Sequence, residues 1–160
     1  MSSPDPGAAG AFPLGPGLPE AVRGALVGVD AAAAREQLAN DVVGWLTTIA
    51  ADGRPQTSVI PFLWDGDGIL FYSRLDTPTV RNIAASGAVS FHLNCDPYGD
   101  HVVIVDGRAH VTPLEKRSDV HSAYAAKYRE PHAHWGMDEH RAADEFSLPI
   151  RIHPERVRLW

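Results

Sequence analysis

The sequence predicts a mainly β domain in which six antiparallel strands form a closed or partly closed barrel with inserted helices. Strand-like segments follow one another through short turns, such as Asp65-Gly66-Asp67-Gly68, and short turns favour antiparallel pairs. The order of segments lacks the regular strand–helix alternation of a doubly wound sheet. Closure into a barrel would remove exposed strand edges and leave room for a ligand at the rim.

The first half of the predicted domain is one helix followed by a three-stranded meander. Asp30 is placed to cap a helix over Ala31–Asn40. The next segments are rich in β-branched and aromatic residues and are separated by Asp-Gly turns, so they predict three strands. Pro61 indicates an edge, a bulge or a break in the second of them. The predicted strands are Val42–Ala50, Gln56–Trp64 and Ile69–Ser73.

The second half adds three strands and a second long helix. Apolar and polar residues alternate in Ala88–Asn94, which predicts a half-buried strand. His101–Thr112 predicts a long strand that bends at Gly107, and Leu148–Trp160 a last strand broken at Pro154. Leu114–Tyr128 has near-helical spacing of apolar residues, and residues 129–147 predict a polar, His-rich irregular loop.

Composition limits the domain organisation and the class of protein. The chain has 160 residues, enough for one domain with a sizeable core. Residues 1–28 hold five prolines and six glycines and predict a disordered tail, which leaves residues 29–160 as the folded domain. A net charge of −6 argues against nucleic-acid or anionic-membrane binding, and no apolar run could cross a bilayer. Cys95 is the single cysteine, so we expect a cytoplasmic protein without an intrachain disulfide.

The segment Ile69–Val89 contains the parts of a phosphate-binding site. Asp76 and Thr77 can cap a short helix, Pro78 suits its first turn, and Gly87 is placed to end it. Ser73, Arg74 and Arg81 would put hydroxyl and positive groups beside the free N–H groups of the helix start. The same string is also a competent strand–helix connection, and the arginines could instead pair with Asp76 or Asp67.

The order of these elements resembles the pyridoxamine-phosphate-oxidase-like split barrels. The resemblance covers roughly residues 31–160. Within that group the chain looks like the actinobacterial flavin/deazaflavin oxidoreductases, which often use coenzyme F420 in place of FMN. The resemblance is carried by the Asp-Gly-Arg-Pro turn at 52–55 and by the segments SVIPFLWDGDGILFYS, TPTVRNIAASGAVSFHL and VDGRAHV.

The resemblance implies a six-stranded split barrel that forms a homodimer with a cofactor in each cleft between subunits. F420 is the expected cofactor and FMN the second choice. The residues that would line the ring and ribityl chain are Thr57, Ser58, Val59, Ile60, Tyr72 and Ser73. The phosphate would be held by Arg74, Pro78, Thr79 and Arg81, together with Thr77. Many relatives have a lysine where this chain has Thr79, so Arg74 or Arg81 would have to supply the positive charge.

The expected activity is hydride transfer to or from an unsaturated or quinone-like small molecule. No nucleophile, metalloprotease or nucleotide-loop motif is present, as expected where the cofactor carries the chemistry, so no catalytic residue is predicted. The alternative is a flavin, deazaflavin or haem-binding protein without turnover. Pyridoxamine-phosphate oxidase activity ranks third, because the basic cluster for a substrate phosphate is missing. We predict no metal site, and interpret His132, His134 and His140 as residues of a solvated loop.

Overall fold

The computed structural model describes residues 13–160, which form a seven-stranded sheet with five helices. The sheet order is β2-β1-β5-β6-β7-β4-β3, and every neighbouring pair is antiparallel. The strands are β1 (Val43–Ile49), β2 (Pro55–Pro61), β3 (Leu63–Trp64), β4 (Ile69–Ser73), β5 (Ala88–His92), β6 (Val103–Val111) and β7 (Leu148–Leu159). The helices are α1 (Glu20–Leu26), α2 (Ala32–Asn40), α3 (Pro78–Ala85), α4 (Ser122–His134) and α5 (Glu139–Glu145).

The sheet curls back on itself, because its two outer strands are consecutive in the chain. β2 pairs with β1, β3 pairs with β4, and only Phe62 separates β2 from β3. The segment predicted as one strand, Gln56–Trp64, is therefore broken at the residue after Pro61. This break explains why the structure has seven strands where the sequence predicts six. The mainly β, antiparallel barrel-like fold is confirmed.

The break in the curled sheet is held by a side chain from α4. The Tyr128 hydroxyl accepts the N–H of Phe62 at 2.6 Å. It also lies 2.8 Å from the Phe62 carbonyl oxygen and 2.6 Å from that of Val42. Burial raises the pKa of Tyr128, so the hydroxyl stays protonated and can donate to one of these oxygens. Tyr128 thus gives the backbone groups of Phe62 the hydrogen-bond partners that neither neighbouring strand supplies.

Both faces of β4 are buried, and this fixes α4 against the sheet. Ile69 and Phe71 point into the main core inside the curl. Leu70 and Tyr72 point to the other face, where they pack with Tyr124, Tyr128 and Leu63. The alternation is that of a strand covered on both sides. It places the carboxyl end of β4 between the core and α4.

The long β6–β7 ribbon contains the irregularity that the sequence predicts at Gly107. The pairing skips one residue there, since Asp106 pairs with Arg156 and Gly107 with Pro154. A Cβ atom on Gly107 would lie 2.1 Å from the carbonyl oxygen of His153, so only glycine fits. β7 continues through Pro154 instead of breaking.

The predicted tail boundary at residue 28 is wrong. α1 packs on β7, and its Val22 and Leu26 side chains are fully buried in the main core. These residues are four apart and fall on one helix face, a pattern hidden by the surrounding prolines and glycines. The predicted tail residues 1–12 lie outside the described residues.

The predicted helix at Leu114–Tyr128 is wrong in its first half. Leu114 is almost wholly exposed, and α4 begins only after His121, whose Nδ1 accepts the N–H of Tyr124 at 3.3 Å. Burial of Tyr124 and Tyr128 against β4 sets the position of the helix. Part of the segment predicted to be an irregular loop, residues 129–147, therefore belongs to α4, and α5 follows it with Asp138 as its N-cap.

Two predicted helix starts have different outcomes. α2 is present, but its N-cap is Ala31 without a side-chain cap, so the predicted capping by Asp30 is wrong. At α3 the prediction is confirmed: Thr77 caps the helix, Pro78 is its first residue, and Gly87 follows its end with a φ of 70°. Among residues 13–160, no helix is long and apolar enough to cross a membrane.

Candidate functional site

A cavity of about 540 Å³ lies between β2, the carboxyl end of β4, the start of α3 and the α4–α5 pair. Side chains from all of these elements line it, and they include hydroxyl, aromatic and aliphatic groups. The lining residues are Val43, Ser58, Val59, Ile60, Pro61, Phe71, Tyr72, Ser73, Arg74, Thr77, Thr79, Ser118, Tyr124, His132, Trp135, Met137, Ala142 and Phe146.

One wall of the cavity is the end of the edge strand β2. Ser58, Val59, Ile60 and Pro61 all line it, which places the wall directly before the break at Phe62. β2 pairs with β1 on one side only, so its other backbone edge has no strand partner among the described residues. An edge of this kind offers N–H and C=O groups to a planar polar ligand.

The floor of the cavity is the turn from β4 into α3. Thr77 accepts the N–H of Val80 at 3.2 Å, and its hydroxyl lies 3.3 Å from that of Ser73. Thr79, in the first turn of the helix, is only 8% exposed and faces the cavity. Hydroxyl groups and a helix N-terminus therefore meet at one end, an arrangement suited to an anionic group.

A buried amide fixes α3 in this position. The Asn82 side chain donates to the Thr48 hydroxyl at 3.0 Å and to the Gln56 side-chain oxygen at 3.2 Å. Thr48 lies on β1 and Gln56 on β2, so one side chain links α3 to both strands of the edge pair. Asn82 is a positioning residue for the cavity floor.

Both predicted phosphate-binding arginines have carboxylate partners. Arg74 lines the cavity, forms an ion pair with Glu145 at the end of α5, and lies 5.1 Å from the ring centre of Phe146. Arg81 forms an ion pair with Asp76 at 2.6 Å and does not line the cavity. The positive charge at the site is thus partly neutralised by the protein itself.

A second wall of the cavity is aromatic and comes from α4, α5 and their connection. Tyr124, His132, Trp135 and Phe146 all face the cavity. The rings of His132 and Trp135 approach edge to face with centroids 6.1 Å apart. Burial lowers the pKa of His132, although Glu139 and Asp138 oppose the shift, so the imidazole is mainly neutral at pH 7. This wall presents rings and one neutral, proton-accepting nitrogen.

The sequence did not predict this aromatic wall. The interpretation of His132 as a solvated loop residue is wrong, because it lies in α4 and faces the cavity. One signal for α5 was available: Asp138 followed by Glu139 is a helix-start pattern. No local signal shows that these rings line the same cavity as β2.

The two other histidines of the predicted loop, His134 and His140, do not line the cavity. His140 lies 3.0 Å from Asp119, and that hydrogen bond raises the pKa of His140. Arg117 and then His140 lower the pKa of Asp119 to about 2. His134 is exposed at the end of α4. Within residues 13–160, no group of three or more histidine, cysteine, aspartate or glutamate side chains could hold a metal ion.

Of the residues predicted to bind a cofactor, most meet at the cavity. Those on its lining are Ser58, Val59, Ile60, Tyr72, Ser73, Arg74 and Thr79. Three are not on it: Thr57 bonds to the Thr47 hydroxyl at 2.8 Å, Pro78 is exposed at the helix start, and Arg81 is in its ion pair. That any of them binds a cofactor stays a prediction.

Two larger but more open concavities lie elsewhere, beside α2 and the turn before β6. Their volumes are about 850 and 690 Å³. Alanines and aspartates, such as Ala33 and Asp30, contribute to the larger one, and neither concavity has hydroxyl groups gathered at a helix start. The smaller cavity is the better candidate, because hydroxyl groups gather at the start of α3 and aromatic and aliphatic residues form much of the remaining lining.

Comparison with solved structures shows the same fold in proteins of several kinds. An F420 reductase superposes with a TM-score of 0.59 at 21% identity, covering 77% of this chain and 94% of that protein. A FAD-binding protein from Mesorhizobium loti gives a TM-score of 0.58 at 20% identity, covering 81% and 90%. The haem-storage protein HutZ from Vibrio cholerae gives 0.55 at 19%, covering 79% and 91%. At these identities the likeness is one of fold.

Sequence comparison identifies the family more directly. No curated protein matches the chain. Residues 31–160, however, match the sequence profile of the family described as pyridoxamine 5'-phosphate oxidase. This range begins just before α2 and includes all seven strands and the candidate site. The chain therefore belongs to the pyridoxamine 5'-phosphate oxidase family.

Proposed function

We propose that this protein is an oxidoreductase that binds F420, or alternatively FMN, in the cavity beside β2. Its substrate would be an unsaturated or quinone-like small molecule. The observation that carries the proposal is the cavity itself: an edge strand on one side, rings on the other, and hydroxyl groups at a helix start at one end. The fold is shared with a protein described as an F420 reductase and with one described as FAD-binding.

The residues present fit a flavin or deazaflavin with a phosphorylated side chain. The edge of β2 at Ser58–Ile60 would contact the polar edge of the ring, with Trp135 and Phe146 on the opposite side. Ser73, Thr77 and Thr79 have hydroxyl groups for a ribityl chain and phosphate, and α3 adds its free N–H groups. When bound, the cofactor supplies hydride transfer. The protein binds it, orients it and excludes water.

His132 is the side chain best placed to handle a proton. It lines the cavity as a mainly neutral imidazole, so it can accept a proton from a substrate hydroxyl. No other histidine among residues 13–160 lines this cavity. We therefore propose His132 as the group to test for a pH effect on turnover.

We also propose a homodimer in the cytoplasm, with the open side of each cavity closed by the other subunit. Val59 on the edge strand lines the cavity and remains 48% exposed. A cofactor ring resting on this strand would need cover from outside the chain to exclude water. With a net charge of −6, we expect no nucleic-acid partner.

A second candidate is haem binding without turnover. His132 favours it, because a neutral imidazole in the lining of a cavity with aromatic rings could coordinate haem iron. The fold is shared with a haem-storage protein. Pyridoxamine-phosphate oxidation is less well supported, because the cavity lining contains one arginine and no lysine.

The experiment is a titration of the purified protein with F420, FMN and haem, each followed by its own absorbance. Reduced F420 is then mixed with the protein and a quinone, an enone or a tetrapyrrole. We expect F420 to bind and the oxidised deazaflavin absorbance to return. Submicromolar binding of FMN with none of F420 would overturn the preferred cofactor. Binding of F420 without oxidation by any acceptor would favour storage.

A further inference from the structure

We propose that Glu145 makes the cavity selective for a cofactor whose phosphate group carries at most one negative charge. By pairing with Arg74, Glu145 disfavours a doubly charged phosphomonoester, such as that of FMN, relative to a phosphodiester or an uncharged ribityl chain. This inference rests on the proposed function, because it concerns the cofactor of the same cavity. Glu145 is a specificity-determining residue in this account.

The lining of the cavity is poor in positive charge. Among its described lining residues, Arg74 is the only side chain with a permanent positive charge. Arg81 is the next arginine along the chain, but it is held by Asp76 at 2.6 Å and lies outside the lining. The hydroxyl groups of Ser73, Thr77 and Thr79 donate hydrogen bonds without adding charge.

Arg74 already has interaction partners within the protein. Its guanidinium pairs with Glu145 and lies 5.1 Å from the ring centre of Phe146. Its side chain is 58% exposed and that of Glu145 is 32% exposed, so water screens the pair and we expect it to change an affinity by no more than about fivefold. The two charges cancel, and the end of the cavity near α3 has no net positive side-chain charge.

Glu145 is the last residue of α5 and lies at its carboxyl end. A carboxylate there opposes the helix dipole, and Arg74 offsets that cost. An anion that pairs with Arg74 would leave the Glu145 carboxylate at the C-terminus of α5 without its cation. A phosphomonoester also carries about −1.5 to −2 charges at pH 7, so its second charge would be repelled by the freed carboxylate. A single charge can be stabilised by the α3 N–H groups and hydroxyls while Arg74 stays paired with Glu145.

The experiment compares riboflavin, FMN and F420 as ligands of the wild-type protein and of Glu145→Gln. Riboflavin and FMN share a ring and differ in the phosphate, so the ratio of their dissociation constants reports on that charge. We expect FMN to bind no more than about twofold more tightly than riboflavin in the wild type. Glu145→Gln should strengthen FMN binding about fivefold and leave riboflavin unchanged, since Arg74 is released.

Asp144→Asn is the matched control. Asp144 is the preceding residue on α5 and pairs with Arg117 at 2.9 Å, away from the cavity lining. The substitution changes the net charge as Glu145→Gln does, so it should alter the FMN-to-riboflavin ratio by less than about twofold. Glu145→Ala repeats the test without an amide that could still bond to Arg74.

The outcomes separate the inference from the proposed function. If wild-type protein binds FMN about tenfold or more tightly than riboflavin, or if both Glu145 variants leave the ratio unchanged, the inference is overturned while the flavin site stands. If riboflavin, FMN and F420 all fail to bind, the proposed function fails and the inference fails with it.

Discussion

Tyr128→Phe tests how the curled sheet is held together where β2 becomes β3. The substitution removes one buried oxygen and keeps the ring, which stacks on Tyr124 with centroids 4.5 Å apart. That oxygen accepts the Phe62 N–H and donates to one of two carbonyl oxygens. Phe62 is fully buried, so water cannot replace the lost partner.

The magnitude follows from these contacts. One net hydrogen bond contributes about 0.5 to 1.5 kcal/mol, and a buried N–H left without a partner costs about 1 to 3 kcal/mol. We therefore expect Tyr128→Phe to lower the free energy of unfolding by about 2 to 4 kcal/mol. Because Ile60 and Pro61 precede the break and line the cavity, cofactor affinity should fall as well.

The assay is urea unfolding followed by circular dichroism, with the free energy obtained by linear extrapolation. Tyr124→Phe is the matched control, since Tyr124 is buried on the same helix but its hydroxyl does not hold the Phe62 backbone. It should cost less than about 1 kcal/mol. If Tyr128→Phe costs no more than the control, the hydroxyl does not hold the break, and the reasoning is refuted.

Three further predictions concern the cavity and its support. Arg74→Ala should weaken F420 binding about fivefold, because the cation is lost while the carboxylate of Glu145 remains. Fluorescence titration measures this, and an unchanged dissociation constant would remove Arg74 from the site. Asn82→Ala should lower the free energy of unfolding by about 1 to 3 kcal/mol, since Thr48 and Gln56 lose a buried partner. Urea unfolding measures this, and an unchanged free energy would contradict the link between α3 and the strands. Because the pKa of folded His132 lies below its ordinary value of 6.5, the unfolded chain binds the proton more tightly and folding stability should fall as pH drops below about 6.5. His132→Gln should remove that part of the pH dependence in urea unfolding between about pH 7.5 and pH 5, and an unchanged pH profile would argue against it.

The parts of the fold that the sequence predicts well depend on local chemistry. α3 has a capping residue, a proline at its start and a glycine after its end, and each of these acts on its own backbone. The antiparallel strands could be predicted from turn residues and alternation for the same reason. The strand break at Phe62 was signalled by Pro61, but its position depends on the Tyr128 hydroxyl, which is 66 residues away in sequence.

The parts that the sequence does not predict depend on distant contacts. α1 exists because Val22 and Leu26 find the core beside β7, which composition cannot show. The aromatic wall needs α4 packed on β4 before His132 and Trp135 can line the same cavity as β2. Much of the cavity lining on β2, at the end of β4 and in the turn into α3 could be predicted from the sequence, because those residues are close together in the chain.

The most direct test of the account is whether the cavity is where the cofactor binds. Ser58 faces the cavity, whereas its neighbour Thr57 is on the same strand but outside the lining and bonds to Thr47. The measurement is the dissociation constant of F420, by fluorescence titration, for Ser58→Trp and Thr57→Trp. We expect at least about a tenfold loss of affinity for Ser58→Trp and less than about a twofold change for Thr57→Trp. Equal effects of the two substitutions, or wild-type affinity in Ser58→Trp, would contradict it.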